Sequence, residues 1–450
     1  MKRTLYRLLT LAALLAAPAL VPAQELTLDS CIALARRNNI DIRTSQLEVE
    51  HARAVKQQVF TKYFPQVQLN GLGYYAAQPL VRFSIDDIQS NDMRELLTDI
   101  YELVSEAGSD VHREVTLMAH GASGSVTAAQ PLYAGGRIVT GNRLARLGIE
   151  AAELQADMKA RDVIENIEST YYLVTGLQQK VATIDAALAL IDSLDRTVQS
   201  ALANGLVTRA DALQLQLKRN EMTAKRQQLA SGIRLSKRLL CRQIGLAYSD
   251  SLAFADPAAV SQPPLAYCYD PQGDSLRPEM RLLQLGVEAE QLRRRLTLGE
   301  TLPQLTLMGT AYYGDIIKED PAGNAVALLS LSIPLTAWWE TAHKLRQHDL
   351  RIDEARLRQE HLSQMMSIEE EKAYSDMVDA YLLLRSDSAA LDVAQENYRI
   401  ANLNYTAGAT TLSEVLQAHA LLLQAQNAIT DRTTTYVVAR RRLGDLRKSR

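Results

Sequence analysis

Two Glu-x-x-His pairs are the residues of this sequence best spaced for metal chemistry: Glu48 with His51, and Glu340 with His343. Three residues apart on a helix, both side chains share one face. Each pair could offer a carboxylate oxygen and an imidazole nitrogen to iron in a four-helix bundle. Such a centre needs two further inward glutamates on facing helices, and nothing in the pattern supplies a compact bundle to hold them. The sequence holds seven histidines in 450 residues, so two chance pairs are ordinary. No His-Glu-x-x-His, Gly-x-Ser-x-Gly or phosphate-cradling glycine loop occurs. Gly121 to Ser125 is glycine-rich but no helix start follows it. Cys31, Cys241 and Cys268 are odd in number and lack metal-ligand spacing, which points to buried or incidental thiols. The expectation is a protein that is not an enzyme and needs no cofactor or metal.

Bulk properties narrow the class. A net charge of -3 argues against a nucleic-acid partner. Lys2, Arg3 and Arg7 precede an apolar stretch from Leu8 to Leu20, and Val21-Pro22-Ala23 places small residues at a cleavage site. This pattern predicts a signal peptide over 1–23 and a mature chain from Gln24. No other segment is apolar enough for a membrane-spanning helix. An exported chain without a helical anchor is periplasmic, secreted, or part of an outer-membrane barrel.

The sequence is also written twice. Pro65-Gln66-Val67-Gln68-Leu69-Asn70-Gly71-Leu72-Gly73-Tyr74-Tyr75 aligns with Pro303-Gln304-Leu305-Thr306-Leu307-Met308-Gly309-Thr310-Ala311-Tyr312-Tyr313 at an offset of 238. Gln130-Pro131-Leu132 and Ile333-Pro334-Leu335 align at an offset of 203, as do Asn204–Thr208 and Ala407–Thr411. Two halves with one internal ruler indicate a structural unit built twice. The difference between the offsets places an insertion in the first half, about 78–120, polar and acidic, with a short helix expected over 91–105.

Long helices must carry most of each half. Val174, Val181 and Leu188 interleave with Leu177, Ile184, Ile191 and Val198, which is the seam of a coiled coil. Asn204-Gly205 ends that helix, and Thr208 with Asp211 starts the next with a capping-box pair. The second half repeats this with a turn at Ala407-Gly408 and a cap at Thr411 with Glu414. N-terminal capping alone accounts for both acids. Glu369-Glu370-Glu371 is expected to be a solvated helix face.

Before each hairpin the period changes to two. Gln66, Gln68 and Asn70 alternate with Val67, Leu69 and Gly71, and Ser330 and Ser332 with Leu329, Leu331 and Ile333. This is a strand pattern with one apolar face. It suits lipid outside and water inside, with Tyr74, Tyr75, Tyr312 and Tyr313 as membrane-interface aromatics, and equally an amphipathic hairpin on a soluble core. Four strands cannot close a barrel in lipid, so the membrane alternative requires several chains.

The predicted organisation is therefore repeat 1 over 24–245, with strands about 66–75 and 121–131 and a hairpin about 138–245. A proline-rich linker covers 246–275. Repeat 2 covers 276–446, with strands about 304–313 and 325–334 and a hairpin about 337–446.

These residues resemble the TolC family of outer-membrane efflux channels along essentially the whole mature chain. Leu26 to Ile40 looks like that family's first-helix signature, and Arg277-Pro278-Glu279 its second-half counterpart. Gln130-Pro131-Leu132-Tyr133-Ala134-Gly135-Gly136-Arg137 is close to the hallmark at a strand exit, where the second half departs with Trp338-Trp339.

The resemblance implies a mainly α fold with a β-barrel portion: a homotrimer with a 12-stranded outer-membrane barrel and a periplasmic α-helical tunnel. It implies a passive exit duct that meets a periplasmic adaptor and, through it, an inner-membrane efflux pump. A type I protein-secretion duct has the same fold, and a soluble periplasmic coiled-coil adaptor is the competitor of another class. The docking tips would be Gly205, Leu206, Val207, Thr208, Gly408, Ala409, Thr410 and Thr411. The periplasmic entrance would carry Glu414, Gln417, Asp211 and Tyr405. Gln417 replaces a second acid, and Thr410 replaces a basic latch residue. The exported substrate is not legible, because a water-filled tunnel leaves selection to the pump.

Overall fold

The computed structural model describes residues 25–77, 81–84, 89–106, 114–117, 120–205, 207–250, 252–255, 257–260, 262–266, 277–314 and 322–448. The expected signal peptide, Leu206, Cys268 and the link over 315–321 lie outside them. In chain order the elements are β1 (Glu25–Leu26), α1 (Leu28–Asn38), α2 (Ile40–Phe60), a 3-10 turn (Thr61–Tyr63), β2 (Gln66–Tyr75), β3 (Val81–Ser84), α3 (Asn91–Glu106), β4 (Glu114–Leu117), β5 (His120–Ala134), α4 (Arg137–Ala203), α5 (Arg209–Ile244), β6 (Ala253–Phe254), α6 (Pro278–Glu300), β7 (Gln304–Gly314), β8 (Ala322–Ser332), α7 (Ala337–Thr406) and α8 (Leu412–Lys448). The fold is mainly helical with a strand portion, as expected. α4 has 67 residues and α7 has 70. At ~1.5 Å per residue, each is on the order of 100 Å long.

The chain forms two compact units, one from 1–51, 150–285 and 356–450, the other from 52–149 and 286–355. Each unit draws on both halves of the sequence.

The first unit is helical, and its cores follow the seam. Val174, Ile184, Ile191 and Val198 are buried, with Leu215, Leu240 and Ile244 of α5 against the same helix. Each such side chain contributes roughly 1.5–3 kcal/mol of burial. Asn39 joins α1 to α2: its Oδ1 accepts from the N–H of Asp41 at 2.8 Å and of Ile42 at 3.1 Å, and its Nδ2 donates to the Gln243 carbonyl at 2.6 Å. β1 pairs in parallel with β6, and the Tyr171 hydroxyl donates to the Leu26 carbonyl at 3.0 Å. The linker is tied to α8. Tyr436 Oη, Arg440 Nε and Arg447 Nη1 donate to the carbonyls of Gln262, Pro263 and Ala266 at 2.8, 3.1 and 2.9 Å. A proline-rich segment has carbonyls to satisfy and few N–H groups to form its own ladder.

The run Glu369–Glu371 is not the solvated face that its charge suggests. Glu370 is fully buried, three residues from Ala373 and seven from Met377 on the packed side of α7. Its carboxylate accepts from Arg447 Nε at 3.2 Å. Glu369 meets Arg277 and Arg442 at 3.5 and 3.6 Å. A carboxylate tolerates burial only with such a partner, and charge type alone cannot reveal which residue has one.

The second unit holds a four-stranded antiparallel sheet in the order β2-β5-β7-β8. β5–β7 pairing joins the two halves of the sequence, with Val126 opposite Ala311 and Thr127 opposite Thr310. β2 and β8 have no outer partner among the described residues. β5 passes through Pro131 by a register shift between Pro131 and Tyr133, since proline gives no N–H to the ladder. It runs three residues beyond the expected end. β8 lacks such a shift and stops at Ser332, two residues before Pro334 and short of the expected end. After β5, Gly135 and Gly136 take φ of +59° and +73°, and a Cβ on Gly135 would lie 2.2 Å from the Gly299 carbonyl oxygen at the end of α6. Two glycines therefore let the strand exit touch a helix backbone. Trp338 stands in the equivalent sequence position of the second half, and its Nε1 donates to the Thr301 carbonyl at 3.2 Å.

Candidate functional site

The first hairpin tip is built on a positive backbone angle. Gly205 has φ of +70° and its N–H donates to the Leu202 carbonyl at 3.0 Å, closing α4. Thr208 then caps α5. Its Oγ1 accepts from Asp211 N–H at 3.3 Å, while its own N–H and hydroxyl donate to Asp211 Oδ2 at 2.9 and 2.7 Å. This reciprocal box holds the Asp211 carboxyl below its usual range, chiefly through the two hydrogen bonds from Thr208.

The second tip is looser. Gly408 has φ of +75°, and Ala409 N–H donates to the Asn404 carbonyl at 2.8 Å. Glu414 N–H donates to Thr411 Oγ1 at 3.4 Å, and the Thr410 hydroxyl donates to the Glu414 carboxylate. Thr410, which stands where a basic latch residue was expected to be missing, thus holds Glu414 by its hydroxyl. Glu414 and Gln417 are both exposed, whereas their neighbours Val415, Leu416 and Ala418 are buried.

Both tips pack into one cluster within this unit. Ile191, Leu194, Val198 and Leu215 meet Leu412, Val415 and Leu416, flanked by Val207, Ala212 and Tyr405. Gln214 Nε2 donates to Ser413 Oγ at 3.4 Å. Burial pushes the Tyr405 phenol up, and the Asp211 charge adds to it. Val207 and Ala212 of the first tip therefore share one cluster with Tyr405, and Asp211 is near enough for its charge to act on the phenol. Leu206 lies outside the described residues.

Sequence reasoning missed His419. It is 5 % exposed, with its ring 5.4 Å from that of Tyr398. Burial, then the Lys218 charge, pull its pKa below the ordinary value. The signal lay in its spacing, since it follows Leu412, Val415 and Leu416 along the packed side of α8.

The four tyrosines divide. Neighbours on a strand point to opposite faces. Tyr75 and Tyr313 share the face of Val67, Leu69, Val126, Ala311, Leu329 and Leu331. Tyr74 and Tyr312 share the face of Gln68, Asn70, Thr127, Thr310 and Ser330, on which Thr127 and Thr310 hydroxyls meet at 3.2 Å. The first face is apolar across four strands and open to solvent in the single chain: Leu69 is 80 % exposed and Leu329 64 %. Leu72, Met308, Val326 and Leu328 are the large aliphatic exceptions on the second face.

The Glu-x-x-His residues are apart from these features. Glu48, His51 and His343 are exposed, and Glu340 pairs with Lys344 at 2.9 Å. Among the described residues no group of three potential metal ligands comes together, and no helix is long and apolar enough to cross a membrane.

Residues 274–446 match the model of the family described as outer membrane efflux protein. The resemblance read from the sequence therefore holds. No curated protein matches the chain in sequence. Solved structures of similar fold match nearly the full length of the chain, both halves included. A structure of CusC, described in connection with transmembrane channel formation, has a TM-score of 0.76 at 15 % identity, over 94 % of this chain and 92 % of that one. The CmeC outer membrane channel of Campylobacter jejuni has a TM-score of 0.74 at 15 % identity, over 94 % and 85 %. The outer membrane protein VceC of Vibrio cholerae has a TM-score of 0.70 at 16 % identity, over 92 % and 95 %. At such identities the shared property is the fold.

Proposed function

We propose that this chain is the outer-membrane exit duct of a tripartite efflux system, a passive homotrimeric channel. The observation that carries the proposal is the sheet. One face is apolar over four strands, the other is largely polar, and both outer edges lack partners among the described residues. In lipid such edges leave N–H and C=O groups unpaired, so β8 of one copy must meet β2 of the next. Three copies close twelve strands, with Tyr75 and Tyr313 at the lipid interface and Tyr74 and Tyr312 turned to the lumen.

The tips are the periplasmic entrance and the docking surface for an adaptor, which links the duct to an inner-membrane pump. Glu414 and Gln417 are exposed beside buried neighbours, so three copies of Glu414 about one axis would attract cations. Asp211 and Tyr405 lie one layer behind, in the contact between the tips. Opening is a rearrangement of the packed hairpins between two arrangements, which the adaptor biases.

The deciding experiment is the native mass of the mature protein extracted by detergent from the outer-membrane fraction. A trimer is expected. A soluble monomer or dimer would mean that the sheet does not span lipid, and a periplasmic coiled-coil protein would replace this proposal.

A further inference from the structure

The insertion between β2 and β5 is the largest feature that an exit duct does not need. It holds the ribbon β3–β4, paired from Val81 opposite Leu117 to Ser84 opposite Glu114, and between its strands the 16-residue helix α3. At about 100° per residue, Met93, Leu96, Leu97, Ile100 and Tyr101 fall within an arc of about 140°. Asp92, Glu95, Asp99 and Glu102 gather in an arc of about 80° on roughly the opposite side. Most of the apolar arc is uncovered in the single chain: Met93 is 51 % exposed, Leu96 55 % and Ile100 48 %, while Leu97 and Tyr101 at one side are half-buried.

We propose that this arc is a self-association surface, on which the α3 helices of three copies pack as a three-helix cap tethered by their ribbons. This rests on the trimeric duct proposed above. Three observations select a second copy as the occupant. First, Met93, Leu96 and Ile100 have the three-then-four spacing of a coiled-coil seam, and the half-buried Leu97 and Tyr101 extend it on one side. A helix that touches one partner buries a narrow seam, whereas a helix that touches two buries a broad one. Second, the charge is wrong for lipid. α3 carries five acidic residues and one basic residue, while helices that lie on anionic membranes are rich in Lys and Arg. In a three-helix cap the acids point away from the seam. Third, β2 and β5 belong to the sheet whose copies must close into one barrel, so the three tethers start from the same rim.

The test uses the full-length chain in detergent, with Ile100→Cys on the apolar arc and Glu95→Cys on the acidic arc. Each is oxidised with copper phenanthroline, and the parent chain, whose Cys31 and Cys241 are buried, sets the background. Covalent dimer at Ile100→Cys should exceed that at Glu95→Cys by about fivefold or more, as expected of a seam position against an outward one. Leu96→Cys should behave as Ile100→Cys does, and it carries the test if the latter fails to assemble. Native mass is read on the same samples. A trimer without excess dimer on the apolar arc overturns the cap and leaves the duct standing. A monomer overturns both.

Discussion

The two hairpin tips have the same glycine and the same threonine cap, yet they treat their acidic residues differently. At the first tip Asp211 receives the N–H and the hydroxyl of Thr208 and returns its own N–H, so the carboxylate is used up in closing α5. At the second tip the longer Glu414 is held by the side chain of Thr410, and its N–H reaches Thr411 only at 3.4 Å. One methylene of extra reach separates a residue that builds its helix end from one whose charge stays at the surface. Sequence position alone would give both acids the same role.

The strongest way to break this comparison is to change the tip surface itself. Asp211→Arg combined with Gly205→Asp should abolish efflux while leaving membrane assembly intact, as read by drug susceptibility and by fractionation. Normal resistance in that strain would remove the first tip from docking. A subtler contrast separates the caps. Thr208→Ala should destabilise the start of α5 by about 1–2 kcal/mol, and Thr411→Ala the start of α8 by about 0.5 kcal/mol. Hydrogen exchange of the two first turns measures both, and equal losses would erase the difference between a reciprocal and a one-way cap.

Charge sharpens the comparison further. Glu414→Ala should lower cation selectivity in planar bilayers, and Asp211→Ala should lower it less, because Asp211 lies in the contact between tips. Equal shifts in reversal potential would put both acids in the lumen. The smallest expected effect is pH dependence. His419 has a depressed pKa, so the folded tip binds its proton less readily than the unfolded chain does. Its contribution is complete above 6.5 and declines as pH falls below that value. Asp211 also has a depressed pKa, and its contribution is lost only as pH falls below 3.8. Between the two windows the histidine acts alone. Protection of the tip-cluster amides, taken relative to the intrinsic exchange rate at each pH, should fall from pH 7 to pH 5 in the parent, and His419→Leu should flatten that response.

Much of this was legible in the sequence because it depends on local rules. Glycine at Gly205 and Gly408, the Thr208–Asp211 box and the seven-residue seam each fix their own few residues of structure. Strand alternation was legible for the same reason, and it also divides the tyrosines between two faces, since adjacent positions cannot share one. What stayed hidden depends on distant partners. Glu370 reads as one of three solvated acids until Arg447 is placed beside it, 77 residues later in the chain. His419 reads as an isolated histidine until Tyr398 and Lys218 surround it. The meeting of Asp211 with Tyr405 could not be inferred from spacing, because it joins the two hairpins.

The β5–β7 pairing has a kinetic consequence. Its strands are the two inner ones of the sheet, yet Ala134 and Gln304 are separated by α4, α5, the linker and α6. β2 and β5 can pair early, but the open side of β5 then waits for a strand that begins about 170 residues after β5 ends. Contacts between residues so far apart form slowly. A chain halted at that stage holds an unpaired strand edge in water, the template on which other strands add. The yield of this protein should therefore be set by how long that edge waits, and mutations that slow α4 or α5 should reduce the amount assembled without weakening what does assemble.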